Sequence, residues 1–475
     1  MNPRPRAFCR TRIETRAIVV FLAALAAVVP SLAATAEREV DDPNTNEDLV
    51  HESPATPSDR IVDGISDSEL QLLIREVIER NPRVASLRAE AAAKVQKAPQ
   101  VKSLPDPTAS VTWFVLSPQT RVGPQDVTIS IAQRFPWFGE LDLEEQAAIL
   151  DATAAKARVE SLILELVTTT RTRYRELQYL SLEEMIVRED RNTLDRFEEL
   201  SRARYAAGTG LGQAVIKIQA EITRADARLL AIEDRVVEIE AAINRLRDVR
   251  ASTPVRLGTI FGAFTDELEI ESLRKQAISG RPEVVEATAR IDASTARVDI
   301  SSKKRSPDVF VGLTYGLVGK RDDDAGRLNP PQGNGDDILG LTGGMTIPLW
   351  SKSLQAGEEE AAQYKLAAEE RRRAVIADIE GSLGDLVGRV PLLRDQIELF
   401  ERALIPQAEE SLISVENAYG AGTANALDLL DAERTLLTVR LGLERIRTDL
   451  AVVLARLEGT IAAPLTQILE NGSTS

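Results

Sequence analysis

Two long stretches of the chain repeat apolar residues at alternating spacings of three and four. The first stretch contains Val215, Ile218, Ile222, Ala225, Leu229, Ile232, Val236, Ile239, Ile243 and Leu246. The second contains Leu429, Ala432, Leu436, Val439, Leu443, Ile446, Leu450, Val453 and Leu457. A seven-residue apolar repeat predicts an α-helix that supercoils against a partner helix. Taken alone, these heptads favour a cytoplasmic coiled-coil rod or scaffold.

Each heptad stretch follows a glycine turn, and the two turns have nearly the same sequence. One reads Tyr205-Ala-Ala-Gly-Thr and the other reads Tyr419-Gly-Ala-Gly-Thr. Upstream of the turns the pattern stays helical from Gly139 to Tyr205 and from Ser353 to Tyr419, which corresponds to roughly 100 Å for each helix at about 1.5 Å per residue. The sequence therefore predicts one unit of long helices and a tight turn, built twice.

Four shorter segments change to the two-residue period of β-strands. They lie at about 107–116, 126–135, 308–318 and 338–347. Apolar residues alternate there with small or polar ones, as in outer-membrane barrel strands, but four strands cannot close a barrel. We therefore expect copies of the chain to pool their strands: two copies give a packed barrel, and three give about twelve strands around a passage.

A small soluble sheet with one wet face is the alternative interpretation of these strands. Such a sheet needs a second apolar surface to cover its apolar face. The neighbouring helices place their apolar residues on their own seams, so the sequence offers no such surface. This absence favours the barrel.

The segments at the two ends of the strands differ in character. Residues 319–337 form a long loop rich in Asp, Gly and Pro, which belongs on the external side of a barrel. At the opposite end the chain leaves the strands through a proline and an aromatic residue, in Phe135-Pro136-Trp137 and Pro348-Leu349-Trp350. Trp137 and Trp350 are therefore predicted to be membrane-interface anchors.

The N-terminal residues have the charged, apolar and small-residue zones of a secretory signal peptide. Five arginines precede the apolar run from Ala17 to Val29, so residues 1–36 are predicted to be cleaved and the mature chain to begin near Glu37. An uncleaved membrane anchor is the alternative. Residues 37–65 are polar and contain several prolines, which predicts a disordered N-terminal linker.

The mature chain lacks the residues of the common metal and catalytic sites. Cys9, the single cysteine, lies in the signal region, and His51, the single histidine, lies in the linker. We therefore predict no metal site, no cofactor and no enzymatic activity. With 28% charged and only 4% aromatic residues, the composition suits long helices. The net charge of -16 excludes nucleic acid as the expected partner, because an acidic surface repels phosphate.

From Ser66 to Gly459 the chain resembles the TolC-like outer-membrane efflux proteins. The most specific segment runs from Tyr419 to Arg434, with the sequence Tyr-Gly-Ala-Gly-Thr-Ala-Asn-Ala-Leu-Asp-Leu-Leu-Asp-Ala-Glu-Arg, and is similar to the second turn of that family. The strand exit from Gln133 to Gly139 resembles that of the heavy-metal efflux branch. The expected first repeat, second repeat and C-terminal tail are residues 66–260, 261–460 and 461–475.

The resemblance implies a mainly α-helical fold in which long coiled-coil helices form a tunnel. A transmembrane β-barrel, shared by a homotrimer with four strands per chain, continues that tunnel. The implied partners are a periplasmic adaptor (membrane fusion) protein, an inner-membrane RND or ABC pump, and outer-membrane lipid. The implied role is passive conduction through the outer membrane of a Gram-negative cell, with the helices extending into the periplasm. The alternative is a periplasmic or secreted coiled-coil scaffold without a pore.

The resemblance also implies two groups of site residues. The turns would be the adaptor-docking tips, with Tyr205, Gly208, Thr209, Tyr419, Gly422 and Thr423. Asp428 and Asp431 match the family positions that narrow the tunnel mouth as rings of carboxylates, and repeated acids around a narrow axis attract cations. The first repeat has Ala214 and Lys217 at the equivalent positions, so alternate helices alone would build the constriction. For Asp428 the alternative role is to stabilise the N-terminus of its helix.

Overall fold

The computed structural model describes residues 56–258, 268–321 and 323–465. The predicted signal peptide, Cys9, His51, most of the predicted linker and the end of the predicted tail lie outside these residues. Within the described ranges, no helix is both long enough and apolar enough to cross a membrane.

The described chain is mainly helical and contains one small sheet, which confirms this part of the predicted fold. The helices of the first half are α1 (Pro57–Asp63), α2 (Ser68–Arg80), α3 (Pro82–Val95), α4 (Lys97–Lys102), α5 (Glu140–Ala206) and α6 (Gly212–Leu246). Those of the second half are α7 (Ile270–Gly280), α8 (Pro282–Lys303), α9 (Asp324–Leu328), α10 (Ser351–Leu399), α11 (Ile405–Ala421) and α12 (Ala426–Ile461). A π-helical turn, Phe400–Leu404, joins α10 to α11.

The sheet is antiparallel. Its strands are β1 (Thr108–Trp113), β2 (Gln119–Thr120), β3 (Gly123–Phe135), β4 (Val309–Val318) and β5 (Ile338–Met345). The order is β1-β3-β4-β5, and β2 pairs with β3 outside this path. The described chain therefore has five strands rather than the predicted four, because the loop after β1 folds back as a two-residue strand. A strand that short has no two-residue period for the sequence to display.

The long helices form a layer whose order follows from their contacts. Towards the two turns, α5 packs against α6 and α12, and α12 packs against α11, which gives the order α6, α5, α12, α11. Towards the sheet, α5 packs against α3, α4 and α8, and α8 packs against α10. The predicted seam of α6 is largely buried, with Ile218, Ile232 and Ile243 at the centre of the contact with α5.

Helix α1 departs from the predicted linker. The Thr56 hydroxyl accepts a hydrogen bond from the Asp59 backbone and Pro57 occupies the first turn, so the helix has a capping box at its start. Ile61 and Val62 are buried against the core, and Ser58 N donates to Glu160 Oε1 at 2.8 Å. The disordered linker predicted through residue 65 is therefore wrong for Pro57–Asp63, where two apolar residues and a cap outweigh the polar composition.

Candidate functional site

The two faces of the sheet carry different kinds of side chain. Paired positions across the four long strands form apolar rows, of which two are Ala109, Ile131, Leu313 and Leu341, and Val111, Ile129, Tyr315 and Leu339. The opposite face has rows such as Ser110, Ser130, Thr314 and Gly340, and the hydroxyls of Ser110 and Ser130 lie 2.8 Å apart. The apolar face is largely exposed on β1, β4 and β5, where Leu341, for example, is 80% exposed, and half-buried on β3.

Trp137 and Trp350 lie at the same end of the sheet. Strands β3 and β5 run in the same direction, since each is antiparallel to β4, and the chain leaves both strands towards the long helices. Trp350 is exposed at the start of α10, and Trp137 packs edge-on against Phe138 with 5.8 Å between ring centroids. The structure therefore brings the two predicted anchors to one level, where the sheet meets the helices.

The two predicted turns have the same hydrogen bonds. In the first turn, Thr209 donates to Arg204 O from its backbone N at 3.0 Å and from its hydroxyl at 3.2 Å. In the second, Thr423 donates to Ala418 O in the same two ways, at 2.9 and 3.1 Å. Each turn contains one glycine in the left-handed region, Gly208 (φ 76°) and Gly422 (φ 84°). A glycine is favoured there because a Cβ would be strained at positive φ.

A three-residue contact joins the two turns. The Tyr419 ring is only 5% exposed, and its hydroxyl lies 2.6 Å from Ser201 Oγ. Arg204 stacks on this ring, with Cζ 4.6 Å from the centroid, and donates a hydrogen bond to Tyr419 O. Tyr205, the equivalent tyrosine of the first turn, is 58% exposed. Of the two turn tyrosines, Tyr419 therefore takes part in the contact that holds the α5–α6 and α11–α12 hairpins together at their tips, whereas Tyr205 does not.

Sequence reasoning singled out both tyrosines but missed Arg204 and Ser201. Arg204 directly precedes the first tyrosine, whereas Ala418 precedes the second. A search for what the two turns share therefore discards this arginine. The difference between Arg204 and Ala418 at equivalent positions of the two repeats is the feature of the sequence that could have pointed to this contact.

Asp428 and Asp431 are exposed near the start of α12. Asp428 completes a capping box: its Oδ2 accepts from Asn425 N at 3.1 Å, and Asn425 Oδ1 accepts from Leu427 N at 2.7 Å and from Asp428 N at 3.1 Å. The helix-end role considered for Asp428 is thus present in the structure. Asp431 lies one turn further along the helix and has no part in the cap.

Ion pairs connect α5 to α6 and to α12 at residues further from the two turns. Arg228 of α6 donates to Glu183 of α5 at 2.9 Å, and Arg445 of α12 pairs with Glu176 of α5 at 2.8 Å. The second contact also places Arg445 over the Tyr179 ring, 5.3 Å from its centroid. These contacts cross between neighbouring helices, so they fix how α6 and α12 lie along α5.

Both outer edges of the helix layer carry exposed apolar residues at seven-residue spacing. On α6 these are Ile216, Leu230 and Val237, with the smaller Ala220, Thr223 and Ala227 on the same stripe. On the other edge, α10 and α11 contribute Leu392, Leu399, Pro406, Ile413 and Gly420. We call these the α6 stripe and the α11 stripe. Each has the repeat of a coiled-coil seam, and in the described chain each faces away from the layer.

Comparison with known proteins gives a family match in the second repeat. Residues 273–463 match the family described as outer membrane efflux protein. None of the curated proteins matches the sequence.

Several solved structures have the same fold. The outer membrane protein VceC of Vibrio cholerae is 21% identical, with a TM-score of 0.69 over 84% of this chain and 97% of VceC. The MtrE outer membrane channel of Neisseria gonorrhoeae, solved in its open state, is 16% identical, with a TM-score of 0.68 over 87% of this chain and 93% of MtrE. The CmeC outer membrane channel of Campylobacter jejuni is 13% identical, with a TM-score of 0.67 over 86% of this chain and 89% of CmeC. The shared fold therefore extends well beyond the residues of the family match.

Proposed function

We propose that the chain is a TolC-like outer-membrane efflux protein and that it is the outer-membrane channel of a tripartite efflux or secretion system; the family match of residues 273–463 and the shared fold support this proposal. Its role is to conduct a solute passively from an inner-membrane pump through a periplasmic helical tunnel to the outside. The energy comes from the pump, so the channel needs neither an enzymatic activity nor a cofactor.

The observation that carries this proposal is the two-faced sheet attached to the long helices. One face is apolar over all four long strands; its residues are largely exposed on β1, β4 and β5 and half-buried on β3, which suits contact with lipid. The other face bears small and polar side chains, which suits a wet interior. Strands β1 and β5 are the outer strands of the sheet, and each has one edge without a partner strand. These edges would be paired if copies of the chain joined edge to edge.

The helix layer supports the same arrangement. The α6 stripe and the α11 stripe lie on opposite edges, so pairing one with the other in the next copy is a head-to-tail contact. Head-to-tail contacts generate a ring when the rotation closes. Three copies would pool twelve long strands into a barrel with room for a passage, and we therefore propose a homotrimer.

At the tips, the repeated turns would dock a periplasmic adaptor protein, and the adaptor would connect the channel to an RND or ABC pump. Tyr205 and Thr209 of the first turn and Gly422 and Thr423 of the second are exposed for such a contact. The contact among Ser201, Arg204 and Tyr419 lies beside this surface. An adaptor that separated the two hairpins would break it, which would widen the tunnel mouth.

Asp428 and Asp431 would set the charge of that mouth. In a trimer, each residue would occur three times around the axis, and rings of carboxylates attract cations and repel anions. Their exposure near the tip supports this role. The capping contact of Asp428 gives that residue a second role, whereas Asp431 is free of it.

The rival function is a periplasmic or secreted scaffold without a pore, which the coiled-coil seams by themselves would equally support. Extraction from purified membranes separates the two. A channel is expected to require detergent for release and to run as a heat-stable trimer on semi-native gels. Release of a monomer by high salt alone would favour the scaffold.

A further inference from the structure

Two acidic side chains face each other inside the contact between α5 and α12. Asp190 of α5 is 8% exposed and Glu433 of α12 is 6% exposed. Their carboxyl groups lie within hydrogen-bonding reach of each other. Two ionised carboxylates have no donor between them, so a hydrogen bond here requires a proton on one of the two groups.

In the part of the chain that the structure describes, no lysine or arginine forms an ion pair with either carboxyl group of this pair. The charged groups around it come from α6 (Glu221 and Arg228), α11 (Glu416) and α12 (Arg440). The two arginines and the glutamate of α6 and α12 form ion pairs with other residues. Arg228 pairs with Glu183, Glu221 with Arg434, and Arg440 with Glu189 and Glu409. Within the described residues, Glu433 Oε2 is buried without a hydrogen-bond partner. A second negative charge at this place would therefore be poorly compensated.

Burial and the neighbouring carboxyl act in the same direction on Glu433. Loss of solvent raises the pKa of Glu433 to about 8, and the hydrogen bond and charge of Asp190 add to this effect. Burial also raises the pKa of Asp190, against the opposing influence of the hydrogen bond from Glu433 and of the Arg228 charge. We assign the shared proton to Glu433, which then donates to the Asp190 carboxylate.

We propose that Asp190 and Glu433 form a proton-dependent clasp between the two helical hairpins: with one shared proton they hold α5 against α12, and loss of that proton loosens the contact. Most of the contact between the α5–α6 and α11–α12 hairpins is made by α5 with α12. The clasp itself does not depend on a pore. Its consequence for opening rests on the proposed function.

The direction of the pH effect follows from the proton balance. The closed contact binds a proton that a solvated glutamate, with a pKa near 4.5, releases. Below that value both states are protonated and the closed contact has its full advantage. As the pH rises towards about 8 the advantage is lost, and above it no further loss occurs. The clasp therefore favours the closed contact in acid and weakens it in mild alkali.

Amide hydrogen exchange of the full mature protein in detergent tests the clasp. We expect the protection of the segments around residues 190 and 433, corrected for intrinsic exchange, to fall with rising pH by up to about tenfold per unit until the pH passes about 8. Glu433→Gln keeps the size and a hydrogen-bond donor but cannot titrate, so its protection should stay flat. Glu199→Gln removes an exposed acid of α5 and should follow the wild type.

An equal pH slope in the wild type and in Glu433→Gln would overturn the clasp. If Glu433→Gln does not fold, Asp190→Asn gives a second test: it removes the neighbouring charge while Glu433 stays buried, so the fall in protection should continue but end at a lower pH than in the wild type. An end point equal to that of the wild type would equally overturn the proposal. Single-channel recording of the same samples separates the two claims. A pH-dependent exchange with electrically silent bilayers would leave the clasp intact and contradict the channel.

Discussion

At the scale of single residues, the two turn tyrosines show how a repeat can keep its backbone and divide its roles. Tyr205 and Tyr419 end equivalent helices and accept the same backbone hydrogen bond from a glycine three residues later. Only Tyr419 is buried, because Arg204 and Ser201 of the other hairpin cover it. The second turn therefore carries the contact between hairpins, and the first turn leaves its tyrosine to the surface.

Replacing Tyr419 by Phe tests this division. The change removes the hydrogen bond to Ser201 and leaves that hydroxyl without its partner, which should cost about 1 kcal/mol. We expect amide exchange in the two turns to increase about fivefold. Tyr205→Phe is the matched control, since Tyr205 is 58% exposed, and it should change exchange little. Equal effects of the two variants would contradict the assignment.

What the sequence could predict at this scale is local. The glycine turns and the N-terminal position of Asp428 follow from motifs a few residues long. The clasp of Asp190 and Glu433 and the contact of Arg204 with Tyr419 join residues more than two hundred positions apart. In a single sequence each of these residues is only one more charged or aromatic position on a helix. Nothing in the heptad pattern indicates which helix faces which.

At the scale of elements, the longest helix agrees closely with its periodicity, whereas its counterpart does not. Helix α5 spans Glu140–Ala206 without interruption. The equivalent stretch of the second repeat changes to a π-helical turn at Phe400–Leu404 before α11. Pro406 follows this turn directly in α11: it has no N–H, and its ring would clash with the carbonyl of residue 402 in a regular α-helix, although Pro391 is accommodated inside α10 without a π-helical turn. The wider turn avoids this clash.

The sheet gives a matched pair of neighbouring positions with opposite expectations. Leu341 lies on the apolar face and Thr342 on the polar face of the edge strand β5. If the apolar face meets lipid, Leu341→Lys should lower folding stability in the membrane by about 2–4 kcal/mol, while Thr342→Lys should be tolerated. Denaturant titration of protein refolded into vesicles measures both. Equal costs would argue for a soluble sheet.

At the scale of the whole molecule, the single chain looks incomplete. Its sheet has two open edges, and its helix layer has an apolar stripe on each side. The sequence predicted that strands must be pooled, because four strands cannot close. It did not predict the stripes. A second heptad on the outer side of α6 is hidden by the stronger buried one, and the α11 stripe crosses the π-helical turn.

Charge placed on the α6 stripe should prevent assembly without unfolding the chain. Leu230 is exposed in the single chain, so Leu230→Glu should leave helicity unchanged but convert the trimer into monomers. Ala231→Glu adds the same charge one position away, off the stripe, and should remain trimeric. Light scattering of the detergent-purified variants measures their molar mass and so distinguishes trimers from monomers. A trimer that survived Leu230→Glu would place the interface elsewhere.

The most direct test of the account is single-channel recording of the purified mature protein in a planar bilayer. The wild type is compared with the Asp428→Asn, Asp431→Asn double variant. The account predicts a small, cation-selective conductance in the wild type, because the carboxylate rings narrow and charge the mouth, and a larger, less selective conductance in the variant. Electrical silence from a monomer that stays soluble without detergent would contradict it and support the scaffold.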